Sequence, residues 1–221
     1  MKSILLTGGA GFIGSHVADA LIAAGHKVVI IDNLSTGVRA NVPSGAEFHQ
    51  MDIRDSELGD LFAANNFDAV IHHAGQINLR YSMQEPAADA EVNIVGSLKL
   101  LEWCRHYDVK NFIFASTGGA IYGEQDYFPA DEKHPVSPIS IYGADKLAVE
   151  QYLYVFHRDY GLKAVCLRYA NVYGPRQNPF GEAGVVAIFT NRMLEGKPAF
   201  INGDGLQTRD YLYVGDVARM I

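Results

Sequence analysis

The 221-residue chain predicts a doubly wound α/β fold, a parallel sheet with helices on both faces. Three observations carry that prediction. Short apolar runs rich in Val, Ile and Phe alternate with longer amphipathic segments, the order of strands and crossover helices. Several of these runs are continuous rather than alternating, as strands covered on both faces require. A glycine-rich turn, "TGGAGFIGSH", joins the first run to the first amphipathic segment.

Taken in order, "SILLT" (3–7) is the first strand and a helix is expected over 12–25. "KVVII" (27–31) and "AEFHQM" (46–51) are the next two strands, followed by a helix over 56–65. "DAVIHH" (68–73) precedes a long helix over 87–107, and "NFIFAS" (111–116) precedes one over 142–160. "KAVCLR" (163–168) is the sixth strand, with a further helix over 181–196. From about residue 175 the text turns Pro- and Gly-rich, so two units are expected: 1–174, and a smaller one beginning within 175–221. The final stretch, "TRDYLYVGDVARMI", stops in what reads as the first turns of a helix. A truncated second unit is therefore expected, with apolar residues of "VVAIF" and "YLYV" left facing a missing part.

Composition narrows the partners. The chain is 48% hydrophobic and 19% charged, with a formal charge of −7 and no basic stripe. That speaks against nucleic acid and anionic membrane surfaces. No apolar run reaches the ~20 residues a bilayer span needs, and no secretory signal is expected ahead of a strand that begins at residue 3. Cys104 and Cys166 lie in apolar surroundings and are expected as buried free thiols, which favours a reducing cytoplasm.

The glycine turn carries the first chemistry. Gly8, Gly11 and Gly14 bracket Phe12 and Ile13 between a strand and a helix. Such a turn lets a pyrophosphate approach the backbone and meet the helix N-terminus. Asp32, about twenty residues beyond the loop, suits a ribose 2′-hydroxyl and would repel a 2′-phosphate, so NAD is expected rather than NADP. Arg39, the one nearby residue that argues for NADP, is read as solvated. Asn33, Asp52 and Ile53 are counted on the cofactor side, Asp52 toward the adenine. Small Ala74 and Gly75, with Gln76, end the fourth strand where the dinucleotide would lie against the backbone. His72 and His73 point to opposite faces by strand alternation, so no metal is expected.

Within "PISIYGADK", Tyr142 and Lys146 stand one helical turn apart on one face. A phenol near pKa ~10 is a poor base at neutral pH, but adjacent cations favour its phenolate. Lys146 supplies one and an oxidised nicotinamide another, so Tyr142 is expected as a general acid/base tuned toward neutrality. An isolated pair of this kind is usually an ordinary amphipathic face. Its setting argues otherwise: Ser116 and Thr117 offer hydroxyls at the carboxyl edge of the fifth strand, where doubly wound sheets bind ligands.

Together "GGAGFIGSH", "DNLSTG", "STGGAIYGE", "YGADK", "LRYANVYGPRQ" and "TRDYLYVGDV" resemble the extended short-chain dehydrogenase/reductase family, the NAD-dependent epimerases and dehydratases, along the whole chain. The resemblance implies an NAD-binding Rossmann domain with a C-terminal substrate domain. It further implies inversion at C4 of a UDP-hexose, UDP-glucose or UDP-galactose, by hydride abstraction, a 4-keto intermediate and hydride return. By the same resemblance Tyr142 is the base, Lys146 holds the ribose, and Thr117 rather than Ser116 is the hydroxyl partner. Asn93 supports the cofactor side, and Tyr169 and Asn171 touch nicotinamide and sugar nucleotide. Arg209 clamps the phosphates, and Ala199 and Ile201 lie along the uridine. Dehydratases resemble one another in an acid directly after the catalytic hydroxyl; here Gly118 and Gly119 follow. The alternatives are another NAD-dependent nucleotide-sugar enzyme (a UDP-N-acetylhexosamine or UDP-glucuronate epimerase, a dehydratase or a decarboxylase) and, in a different class, a non-catalytic NAD sensor. A sensor has no need of the Tyr–Lys pair. A homodimer through the helices at 87–107 and 142–160 is also implied.

Overall fold

The computed structural model describes residues 1–180 and 184–221. Its six-stranded parallel sheet has the order β3-β2-β1-β4-β5-β6. The strands are β1 Ser3–Thr7, β2 Lys27–Asp32, β3 Glu47–Gln50, β4 Ala69–His72, β5 Asn111–Thr117 and β6 Lys163–Tyr169. Strand order reverses between β1 and β4, so the ligand crevice of such a sheet opens at their carboxyl ends. Thr7 pairs with Ile31 on one side and His72 on the other. The glycine turn and the turn after β4 therefore leave the sheet side by side.

The burial of each strand follows its place. β1 and β2 are central and their apolar runs are covered on both faces, while β3 and β6 are edges and only partly covered. The edge position explains one departure from expectation: Cys104 is buried, but Cys166 on β6 is half-buried. Both are free. One apolar layer gathers Leu5, Phe62, Leu100, Phe112 and Phe114; the other gathers Leu6, Val17, Ile30 and Ile71.

The crossover helices are α1 Phe12–Ala23, α2 Leu58–Ala64, α3 Leu79–Gln84, α4 Pro86–Ala90, α5 Gly96–His106, α6 Gly118–Ile121 and α7 Ile141–Tyr160. The long helix expected over 87–107 is present but widened by a π-helical stretch, Glu91–Val95. Such insertions concentrate at functional sites, and this one carries the buried Asn93. The start of α7 is fixed by Ser140, whose side chain accepts the Gly143 N–H, and its end by Gly161 at φ +70°. A Cβ at Gly143 would fall 2.4 Å from the Ala120 carbonyl oxygen, so only glycine lets the first turn of α7 sit on α6.

Beyond β6 the chain forms β7 Asn171–Tyr173, α8 Val185–Leu194, β8 Tyr211–Tyr213 and α9 Val214–Met220, with β7 and β8 paired in parallel. The helix expected over 181–196 is α8; residues 181–183 of that span lie outside the described residues. The last helix of the chain packs back onto the first. α9 returns to α1, Ala218 and Ile221 join the second apolar layer, and Val214 and Val217 are fully buried. Val214 of "YLYV" is thus covered rather than left facing solvent, because the return of α9 encloses it. No helix of the described residues is long and apolar enough to cross a membrane.

Candidate active site

Gly8 sits at φ +70°, and a Cβ there would fall 2.6 Å from the Ala74 nitrogen. A Cβ at Gly14 would fall 2.2 Å from the Gly8 carbonyl oxygen. These two glycines let the loop press against the β4 turn and against its own helix. Gly11 opens α1 with no side-chain cap and no acid in the first turn. The N–H groups of Phe12, Ile13 and Gly14 therefore have no acceptor within the helix, and the positive dipole end is uncompensated. That is the donor set an incoming pyrophosphate needs.

Asp32 ends β2 almost fully buried. One oxygen accepts the Ala10 N–H at 3.0 Å and the other the Leu34 N–H at 2.8 Å, so it first shapes the glycine loop. Each oxygen keeps a lone pair for a ribose hydroxyl. Arg39 lies over the Phe48 ring, 4.4 Å from its centre. Asp52 accepts four hydrogen bonds, three from Arg54 (its backbone N–H at 3.0 Å, Nε at 2.7 Å, Nη2 at 2.8 Å) and one from Asn33 at 2.8 Å. The Arg54 guanidinium holds its pKa down at about 2. Four donors fill a carboxylate, so an adenine contact has to replace one of them. The Ile53 side chain is buried against Gly96, leaving its peptide group as the part available to a ligand.

The turn after β4 is held from beneath. Asn93 donates to the Gln76 carbonyl and accepts the Gln76 N–H, both at 3.0 Å. The Gln76 amide in turn donates to the Asn78 carbonyl at 3.0 Å and to Asp89. A Cβ at Gly75 would fall 2.8 Å from the Asn93 oxygen and 3.3 Å from Lys146 Nζ. The two histidines enter different networks. Ser97 donates to the Asn93 carbonyl at 2.6 Å, so it must accept from His72 Nε2–H at 2.9 Å; His72 Nδ1 then accepts the Thr7 hydroxyl at 2.7 Å. Burial drives the His72 pKa well below its ordinary value, in keeping with that neutral tautomer. His73 stacks on Tyr169 and meets its hydroxyl at 3.0 Å.

Tyr142 and Lys146 face this turn from the first turns of α7. Lys146 is buried, with Nζ 4.8 Å from the Phe114 ring centre and 5.7 Å from that of Tyr142. Among the described residues its ammonium makes no hydrogen bond, which leaves three donors free. The Tyr142 N–H donates to Ser82 at 3.2 Å, tying α7 to α3. The expected lowering of the Tyr142 pKa is not produced by the protein groups. Burial pushes it up to about 12, with the charge of Asp89 adding to the rise. Burial also lowers Lys146 to about 8. Desolvation outweighs the ammonium, so a shift toward neutrality requires a further cation.

Ser116 and Thr117 part company at the strand end. The Ser116 hydroxyl is buried and donates to Glu150 at 2.5 Å. Glu150 is gripped by Arg168 at 2.7 Å, and Arg168 also donates to the Tyr122 hydroxyl at 3.0 Å. Thr117 is half-buried at the start of α6, and its hydroxyl makes no hydrogen bond among the described residues. Farther out, the Asn171 N–H donates to the Asp210 carbonyl at 3.0 Å and Asn171 pairs with Tyr211, which brings it beside Arg209. Arg209 is exposed and spends one N–H on the adjacent Thr208 carbonyl. Ala199 is half-buried and Ile201 is exposed.

Sequence reasoning missed Asp89, Asp145, Glu150 and Arg168. Asp145 lies inside "YGADK", and Glu150 is one turn beyond Lys146 on the same face, a signal that was there to read. Asp89 and Arg168 had none, because they come from other elements.

The family model described as "NAD dependent epimerase/dehydratase family" matches residues 4–221. A putative UDP-glucose 4-epimerase of Methanocaldococcus jannaschii is 50% identical over 216 residues, covering 98% of this chain and 71% of that one. The crystal structure of a Thermotoga maritima UDP-glucose 4-epimerase with UDP-glucose is similar at TM-score 0.95 and 54% identity, covering 98% of this chain and 71% of that one. The Thermus thermophilus UDP-glucose 4-epimerase in complex with NAD is similar at TM-score 0.92 and 51% identity, covering 98% and 72%.

Proposed function

The chain belongs to the NAD dependent epimerase/dehydratase family, and from that premise we propose that it inverts C4 of a UDP-hexose, interconverting UDP-glucose and UDP-galactose. The observation that carries the reading is the buried Lys146 ammonium, which makes no hydrogen bond among the described residues, beside Tyr142 and under a glycine cradle that a Cβ at Gly8, Gly14 or Gly75 would fill. Such a cradle fits NAD, which when bound accepts the C4 hydride and returns it. Phe12, Ile13 and Gly14 offer N–H groups to the pyrophosphate, Asp32 a carboxylate and Lys146 an ammonium to the ribose hydroxyls. Asn93 and Gln76 hold the Ala74–Gly75 turn flat. Tyr142 takes the 4-hydroxyl proton, and Thr117, whose hydroxyl makes no hydrogen bond among the described residues, hydrogen-bonds that oxygen. Ser116 is less suited to the role because its proton is already given to Glu150.

Elimination is disfavoured on geometric grounds. The acid that dehydratases carry after the hydroxyl is replaced by Gly118, whose Cβ would fall 2.9 Å from the Arg168 carbonyl. Arg209 and Asn171 receive the nucleotide phosphates and sugar, with Ala199 and Ile201 along the uridine. A homodimer through α7 is supported by Tyr152, Tyr154 and Val155, which are 40%, 61% and 38% exposed on that helix. The free cysteines accord with a reducing cytoplasm.

The test is direct. Incubation of the NAD-loaded protein with UDP-galactose should yield UDP-glucose with no net consumption of NAD. Formation of a dehydrated 4-keto-6-deoxy sugar, or no change in the sugar, would overturn the reading.

A further inference from the structure

We propose that Asp89 and Asp145 form a buried carboxyl pair that holds one proton between them up to neutral pH and thereby sets the charge around Tyr142 and Lys146. The effect on Tyr142 rests on the catalytic role proposed above; the pair itself rests on the burial of both carboxyls and the unpartnered oxygen of Asp145.

Asp89, on α4, has no exposed surface, and Asp145, on α7, is 6% exposed. Both oxygens of Asp89 are already acceptors. One takes the Gln76 amide and the other the Asn93 amide at 3.2 Å. Asp145 receives no donor from any described residue, and its buried Oδ2 has no partner. α7 packs against α4, and the Asp89 side chain lies within hydrogen-bonding reach of Asp145. Two carboxylates in contact in a desolvated site cannot both be charged. A proton on Asp145 converts the clash into an O–H donated to Asp89, whose oxygens already accept the two amides. The groups that act on Asp145 are Asp89 and Lys146, with Tyr142 on the same helical turn. Burial, then the hydrogen bond and charge of Asp89, raise the Asp145 pKa to about 7, while Lys146 opposes the rise.

The charge balance follows. With the proton in place, one ammonium (Lys146) stands against one carboxylate (Asp89), and a phenolate at Tyr142 adds a single negative charge. Loss of the proton adds a second carboxylate beside the phenol and disfavours that phenolate. Asp145 is thus a positioning residue, acting through charge and not by touching substrate.

Asp145→Asn keeps the shape and an N–H donor for Asp89 while abolishing titration. A carboxyl whose pKa is higher folded than unfolded contributes stability below its unfolded value and loses it as pH rises through the folded value. The wild-type NAD-bound protein should therefore lose stability between about pH 4 and pH 7 relative to the variant. The difference in Tm, variant minus wild type, should grow by ~4 °C or more between about pH 5 and pH 8. A difference that stays constant across that range means Asp145 is already ionised and sinks the proposal. Asp89→Asn, which removes the repelling charge, should likewise flatten the wild-type decline and serves if Asp145→Asn folds poorly. In kcat/KM profiles, Asp145→Asn should lower the apparent pKa of the basic group by about 1 unit. An unchanged profile beside the expected Tm trend overturns the coupling to Tyr142. Absence of epimerisation in both proteins would refute the functional reading and leave the Tm result standing.

Discussion

The α/β unit and the stretch from residue 175 to β8 differ in what holds their side chains. In the first, Phe62, Phe112 and Phe114 have almost no exposed surface. In the second, Phe180, Phe200 and Leu206 are 71%, 64% and 80% exposed, and α8 has no buried residue. The candidate ligand contacts divide in the same way. Asp32, Asp52 and Asn93 are each held by two or more hydrogen bonds before any ligand is considered. Among the described residues Arg209 has one, to its own neighbour, and Ile201 is open to solvent. The proposed cofactor contacts are thus preorganised, whereas those proposed for the sugar nucleotide must lose freedom on binding. Ordering each long side chain there costs about 0.5–1.5 kcal/mol of affinity.

The largest expected effect separates chemistry from cofactor binding within the first region. Tyr142→Phe should cut turnover by ~10²–10⁴ while calorimetry still detects NAD binding, because the cradle is built from other residues. Full activity at neutral pH in that variant would remove Tyr142 from its role. Next, Phe112→Ala should destabilise the protein by ~3–5 kcal/mol, whereas Phe200→Ala should stay within about 0.5 kcal/mol. Equal denaturation midpoints for the two would erase the contrast in packing. Arg209→Ala should weaken UDP binding by ~1.5–3 kcal/mol, the range for charge-assisted hydrogen bonds. Melting temperature and NAD affinity should not move; a fall in either would show that Arg209 supports the fold.

The smallest effect is a pH dependence within the preorganised region. The folded pKa of Asp52 is depressed to about 2, so its contribution is present above the unfolded value and lost as pH falls from about 4 toward 2. Because Arg54 is 40% exposed, solvent screening limits this to ~1 kcal/mol. The stability gap between wild type and Asp52→Asn should therefore close over that acid range. A gap independent of pH would mean that Arg54 stabilises the carboxyl and the amide equally.

Much of this was legible in the chain. The six strands of the sheet and α1, α2 and α7 follow from periodicity, which depends only on near neighbours. The short α3 and α6 were missed because helices of one or two turns leave no periodic signal. β7 and β8 were missed because each is three residues long and they pair across a long insertion. The glycine loop and the Tyr142–Lys146 pair were readable because their geometry lies within one turn or one loop. Asp145 was in plain view, yet its behaviour was not readable, since the group that governs it lies on α4.

The sequence alone determined the parallel α/β architecture, the expectation of a dinucleotide, and the pairing of a phenol with an ammonium on one helical face. These are local properties: backbone dihedrals, strand and helix periods, and the steric demand for glycine at Gly8 and Gly14. Tertiary structure decided that Ser116 gives its proton to Glu150 while the Thr117 hydroxyl makes no hydrogen bond among the described residues. It also decided that Asp145 meets Asp89 and that α9 folds back onto α1. Neighbouring residues on a strand are chemically alike until a distant side chain claims one of them. That choice is made by burial, which makes an enclosed polar group costly to leave without a partner.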